Sequence, residues 1–241
     1  MAEVKIRLYV DQPLAPGQPV ALGEDASNYL FNVMRLVKGA GILVFNNTDG
    51  EWLAEIEQAG KRQGIARATL QTRPRLPLPD LWLVFAPIKK VRLDFLVEKA
   101  VEMGAARLVP VQTRFTNAER LRPEKLRAHV IEAAEQCEAT CLPDLAELQL
   151  LERLLSHWPQ GRRLFWADEG LAGRAAMLQA EKGTPSAILI GPEGGFSPEE
   201  RSRLRSLPFV TPISLGPRIL RAETAALAAL TLWQATSGDW A

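Results

Sequence analysis

The chain has 241 residues, 47% of them hydrophobic and 24% charged, which is the balance of an ordinary globular protein with room for one large domain or two modest ones. No apolar run approaches the roughly 20 residues of a membrane span, and the start, MAEVKIRLYV, lacks the apolar stretch and cleavage site of an export signal. A formal net charge of +1 identifies no partner, so a nucleic-acid surface would have to be a local basic patch.

In chain order, strand-like pieces KIRLYV, GILVFN, WLAEIEQ and IARATLQT come first, with one helical patch, DASNYLFNVMRL, among them. NNTDG supplies Asn, Asp and Gly for a tight turn between the second and third strands. These elements predict a small, mostly β domain over residues 1–73. RPRLPLPD, residues 73–80, then breaks the chain, because Pro74, Pro77 and Pro79 preclude a regular helix or a central strand. Over residues 74–241 the rhythm changes. LWLVFAP, RLVPVQT, RRLFWAD, SAILIGP and FVTPISLG read as strands, alternating with helical stretches such as LDFLVEKAVEMG, which ends at Gly104, and PEKLRAHVIEAAEQC. This alternation predicts an α/β domain: a parallel sheet with helices on both faces and a ligand site beyond the carboxyl ends of its strands. Cys137 and Cys141, near a predicted helix end, cannot complete a four-ligand zinc site and are poorly spaced for a disulfide. Reduced thiols in a cytoplasmic protein without a metal are expected.

Two loops carry chemistry. In LIGPEGGFSPEE, Ser197 can cap a helix, Pro198 suits its first turn and Glu200 can complete a capping box. GPEGGF is therefore a strand-to-helix loop. Gly191, Gly194 and Gly195 permit positive φ and close approach of a ligand to the main chain, or serve only a tight turn. Such a loop ordinarily suggests phosphate, yet neither GxxxxGK[ST] nor GxGxxG is present, and Glu193 would repel an anion. The second loop, LGPRILRAETAALAAL, places Arg218 and Arg221 before an Ala-rich helix. Cations there oppose the helix dipole, which favours a functional use for at least one of them.

LIGPEGGFSPEE followed by LGPRILRAETAAL resembles the paired signature of the ribosomal RNA small subunit methyltransferase E family, among the knotted SPOUT methyltransferases, with NVMRL, EKAVEMG and EAAEQC extending the likeness over nearly the whole chain. The resemblance implies a PUA-like N-terminal β-barrel, a C-terminal domain with a deep trefoil knot, a homodimer and S-adenosylmethionine as cofactor. The implied reaction is methylation of N3 of uridine 1498 in 16S ribosomal RNA of the small subunit. Carried over by position, Leu189, Gly191, Pro192, Glu193, Gly194 and Gly195 would form one wall of the cofactor site. Leu215, Gly216, Ile219, Leu220, Arg221, Thr224 and Ala225 would form the other.

Of the two histidines, His129 and His157, neither lies near the loops in sequence. Glu223 is therefore the candidate proton acceptor, with solvent as the alternative, and Arg221 the partner of the developing oxyanion. Arg7, Arg35, Lys89 and Arg92 match basic positions suited to phosphate or sugar contacts. Lys99, Glu102 and Gly104 match the intervening helix. Tyr29, Asn32, Phe115 and Ala139 depart from the family pattern, and none of them is expected to touch the two cofactor loops. Two other functions fit less of the sequence: a sibling knotted enzyme acting on a ribose 2′-hydroxyl, and a non-catalytic RNA-binding assembly factor.

Overall fold

The structure is a computed structural model, and it describes residues 4, 6–60, 62–117 and 121–241. Contacts divide it into two units, residues 1–77 with 134–142, and residues 78–133 with 143–241.

In the first unit β1 (Arg7–Tyr9), β2 (Pro19–Leu22), β3 (Gly41–Asn46), β4 (Gly50–Gln58) and β5 (Gly64–Arg73) form a sheet in the order β1-β3-β4-β5-β2. β1 pairs with β3 in parallel and the other pairs are antiparallel. Among the described residues β1 and β2 are the outer strands of this order, and Gln12, just after β1, closes onto β2: its Nε2 donates to Ala21 O and its Oε1 accepts from the Ala21 amide, each at 2.8 Å. Alternation along the strands puts Ile42, Val44, Trp52, Ala54, Ile56, Ala66 and Ala68 into one core with Val20 and Leu30. Asn46 builds the turn between β3 and β4, its Oδ1 accepting from the amides of Thr48 at 3.0 Å and Asp49 at 2.6 Å. The helical patch is a single turn, α1 (Glu24–Ser27), running into a π-helical stretch, Asn28–Val33.

Arg7, expected as a phosphate or sugar contact, has its donors engaged within the protein. Its side chain is buried, with Nε donating to Glu51 Oε2 at 2.7 Å, Nη1 to the carbonyls of Ala134 and Glu135 at 3.0 Å each, and Nη2 to that of Ala139 at 2.8 Å. Those bonds fasten 134–142 to the first unit.

In the second unit the predicted strands appear as β6 (Leu81–Phe85), β7 (Arg107–Gln112), β10 (Arg163–Ala167), β11 (Ser186–Ile190) and β12 (Val210–Ile213). Two short strands, β8 (Asp144–Leu145) and β9 (Gln149–Leu150), join them. The order is β12-β10-β11-β6-β7-β8, with β9 also on β7, and every pairing is parallel. The helices are α2 (Lys90–Glu102), α3 (Pro123–Gln136), α4 (Leu151–Ser156), α5 (Pro198–Ser206) and α6 (Ala222–Ser237), and α3 spends its last three residues in the first unit. Val84, Val109, Trp166 and Leu189 pack with Leu151, Leu154 and Leu155 of α4 and Leu204 of α5. Successive residues of a strand face opposite sides, so Ile188 and Ile190 point away from that cluster; α6, which lies against β11 and α2, contributes nothing to it.

Candidate active site

Three neighbouring strands, β12, β10 and β11, end on one side of the sheet, and the loops that follow them enclose a cavity of about 540 Å³. Strand order doubles back here, the position where open parallel sheets hold their ligands.

The loop after β11 is fixed from its far end. Ser197 Oγ accepts from the Glu200 amide at 3.2 Å while Glu200 Oε2 accepts from the Ser197 amide at 2.9 Å, the capping box expected of SPEE. Within the loop the Gly195 amide donates to Pro192 O at 2.9 Å, and Gly195 takes φ +69°. Gly216, in the loop after β12, takes φ +101°. Among the glycines of the two loops, positive φ is confined to Gly195 and Gly216. At Gly191 a Cβ would stand 2.6 Å from the Phe196 ring, and at Gly194 one would stand 3.1 Å from Cβ of Phe115. Those two glycines leave room for aromatic side chains, and Phe115, a departure from the family pattern, does meet the first loop.

Gly191, Pro192, Glu193, Gly194 and Gly195 line the cavity, as do Leu215, Gly216, Ile219, Leu220, Arg221 and Ala225. Two residues assigned from the sequence do not. Leu189 is fully buried in the core, and Ile190, one residue on and facing the other way, takes its place on the wall. Thr224 is exposed on α6 and is not part of the wall. Arg92 of α2 belongs to the lining, whereas Lys89 stands exposed before α2. Arg35 is exposed in the first unit at φ +57°. His129 lies 3.4 Å from Asp94 Oδ1, and neither it nor His157 lines the cavity.

A third wall was missed. Ala167, Asp168, Glu169 and Ala172 come from the end of β10. Asp168 is fully buried, accepting from the Gly170 amide at 2.9 Å, from Arg205 Nη2 at 3.0 Å and from Arg201 Nη2. Glu169 Oε1 accepts from Arg201 Nη1 at 2.5 Å, and a Cβ on Gly195 would come within 2.8 Å of that oxygen. The acidic pair ending RRLFWAD–E was visible in the sequence, and the rule that ligands gather at strand ends would have found it. The cavity is thus polarised: Asp168, Glu169 and Glu193 stand among its lining residues with Arg92, Arg218 and Arg221. Glu223 is absent from the lining and meets it through Arg92, whose Nε lies 3.6 Å from Glu223 Oε1. The other oxygen, Oε2, is buried without a hydrogen-bond partner among the described residues.

Residues 74–234 match the model of an RNA methyltransferase domain, and residues 22–68 that of an RNA methyltransferase PUA domain. The ribosomal RNA small subunit methyltransferase E of Rickettsia conorii is 32% identical over 228 residues, 93% of each chain. The chain belongs to the ribosomal RNA small subunit methyltransferase E family. The Bacillus subtilis protein of that family is 27% identical over 223 residues, 87% of this chain and 86% of its own. Two solved structures share the fold. A methyltransferase from Legionella pneumophila, in complex with the cofactor SAM, has a TM-score of 0.82 at 30% identity, covering 98% of this chain and 99% of its own. The family member from Neisseria gonorrhoeae, bound to S-adenosyl methionine, has a TM-score of 0.87 at 24% identity over the same shares. The fold combines an N-terminal PUA-like domain with a C-terminal α/β RNA methyltransferase domain.

Proposed function

We propose that this protein transfers a methyl group from S-adenosylmethionine to N3 of uridine 1498 of 16S ribosomal RNA in the small subunit, as a homodimer in the cytoplasm. The observation that carries the reading is the polarised cavity between the glycine loops after β11 and β12. Ile190, Ile213, Leu215 and Leu220 offer apolar surface, the bare main chain at Gly195 and Gly216 can be approached closely, and among the described residues no lysine lines the cavity. S-adenosylmethionine matches that donor set, since its ammonium and sulfonium suit Glu193 and Glu169 and its carboxylate suits an arginine. When bound it supplies an electrophilic methyl group, which leaves the sulfonium with the bonding electron pair returning to sulfur.

Uridine N3 carries a proton on its pairing edge, so the base must be unpaired and its proton must leave. Loss of the proton spreads negative charge onto O2 and O4, and donors fixed at those oxygens lower the barrier. Arg221, exposed on the wall at the start of α6, is one such donor; Glu223 acts on the same reaction. Arg35 and Lys89 remain candidate contacts for the RNA backbone. The trefoil knot belongs to the same proposal, supported by the return of the chain after β11 to place β12 on the far side of β10. Calorimetric titration tests the cofactor assignment: S-adenosylmethionine is expected to bind one per chain and ATP not at all. Tight ATP binding with none of S-adenosylmethionine would overturn it.

A further inference from the structure

Glu223 was assigned as the proton acceptor, yet a base must reach the proton that it takes. In the structure Arg92 is part of the cavity wall and Glu223 is not. The Glu223 side chain is 13% exposed against 36% for Arg92, and the closest approach of the two is from Nε to Oε1. Arg92 thus meets Glu223 through Nε and is itself the member of the pair that lines the cavity.

The frame holding the pair is stiff. α2 and α6 pack against each other, and Gln234 of α6, fully buried, donates through Nε2 to Met103 O at the end of α2 at 2.6 Å. Gly104 follows at φ +72°, where a Cβ would lie 2.7 Å from that same Nε2. Small residues on the inner side of α6, Ala222, Ala226 and Ala229, let the helix sit close. The start of α6 is thereby fixed against the start of α2, and with it Glu223 against Arg92.

We infer that Arg92 is a further charged donor to the uracil oxygens, beside Arg221, and that Glu223 is its positioning residue. This rests on the uridine N3 reading above. As the N3–H bond breaks, its proton passes to solvent and the electron pair stays on the base for attack on the methyl group. Arg92 Nη donates to O2 or O4 as charge gathers there. Glu223 holds Nε so that the guanidinium cannot swing away.

The test is a double-mutant cycle on the full chain with small subunits as substrate. It combines single-turnover rates with calorimetric S-adenosylmethionine affinity and the salt dependence of RNA binding. Arg92→Ala is expected to lower the rate by about 10²–10³-fold, the usual loss for one such donor. Glu223→Ala should fall similarly, and the double variant only about threefold below the worse single, because the two act as one unit. Glu223→Gln keeps a carbonyl oxygen for Nε and should lose less than about tenfold. Cofactor affinity should hold in all four.

Three outcomes overturn the inference. A 10²–10⁴-fold loss in Glu223→Gln that recovers as pH is raised makes Glu223 the base. Losses that multiply in the double variant make the residues independent. A fall in the RNA salt slope by about one contact, with little change in single-turnover rate, makes Arg92 a phosphate contact. If the wild-type chain fails to bind S-adenosylmethionine, it is the underlying reading that fails.

Discussion

The Glu51 carboxylate is almost wholly buried and takes four hydrogen bonds from side chains: Arg7 Nε at 2.7 Å, Arg73 Nε at 2.9 Å and Nη2 at 2.5 Å, and Thr72 Oγ1 at 2.8 Å. Burial alone would push its pKa up, but the bonds from Arg73, Thr72 and Arg7 outweigh that and hold it at about 2, against an ordinary 4.5. Because the folded value is the lower one, the unfolded chain takes up the proton first as pH falls. The contribution is complete above about pH 5 and is lost towards pH 2, and a shift of this size is worth roughly 3 kcal/mol. Glu51→Gln should therefore unfold at lower urea than wild type at pH 7, with the gap narrowing as pH approaches 3. A constant gap across that range would mean the carboxylate's charge contributes nothing. None of this could be read from the sequence, where Arg7 is one cation among many and its partners lie 44 to 132 residues away. Leu189 and Ile190 illustrate a finer miss. Both are apolar and adjacent, and only the side of the sheet that each faces decides which one lines the cavity.

At the scale of elements, local chemistry was the most legible. The start of α5 follows from four consecutive residues, because a capping box is satisfied within one turn. What those residues could not announce is the second use of Glu200: its Oε1 also accepts from the Arg114 amide at 2.8 Å, joining α5 to the segment after β7. Glu200→Ala removes the box and that bond together, at a cost of about 2 kcal/mol, lowering Tm by about 4–8 °C. Glu200→Gln keeps one acceptor oxygen and turns its NH2 towards the other N–H, so it should cost about half of this. Circular dichroism on heating measures both, and equal melting of Glu200→Ala and wild type would contradict the assignment. The helix α4 and the short strands β8 and β9 went unseen, being too short to show a period. The patch after Gly23 was seen as helical, but its π-helical widening has no signature in residue type.

For the whole molecule, the alternation of strands and helices made the parallel sheet legible, and the glycine loops located one end of it. The joining of residues 134–142 to the first unit was not legible, since it depends on carbonyl groups meeting Arg7 and not on any pattern in EAAEQC. The third, acidic wall of the cavity belongs to this scale too, because it exists only where β10 lies between β11 and β12. The central claim concerns the proposed reaction as a whole: bound cofactor and target base must come together for methyl transfer to one nitrogen. The most direct test incubates the protein and S-adenosylmethionine with small subunits lacking the modification, digests the 16S RNA and identifies the methylated nucleoside by mass spectrometry. The account predicts one 3-methyluridine per subunit, at position 1498, accompanied by a stop to reverse transcription there because the pairing edge is blocked. Methyl groups found on a ribose 2′-hydroxyl, or no transfer despite saturating cofactor, would contradict it.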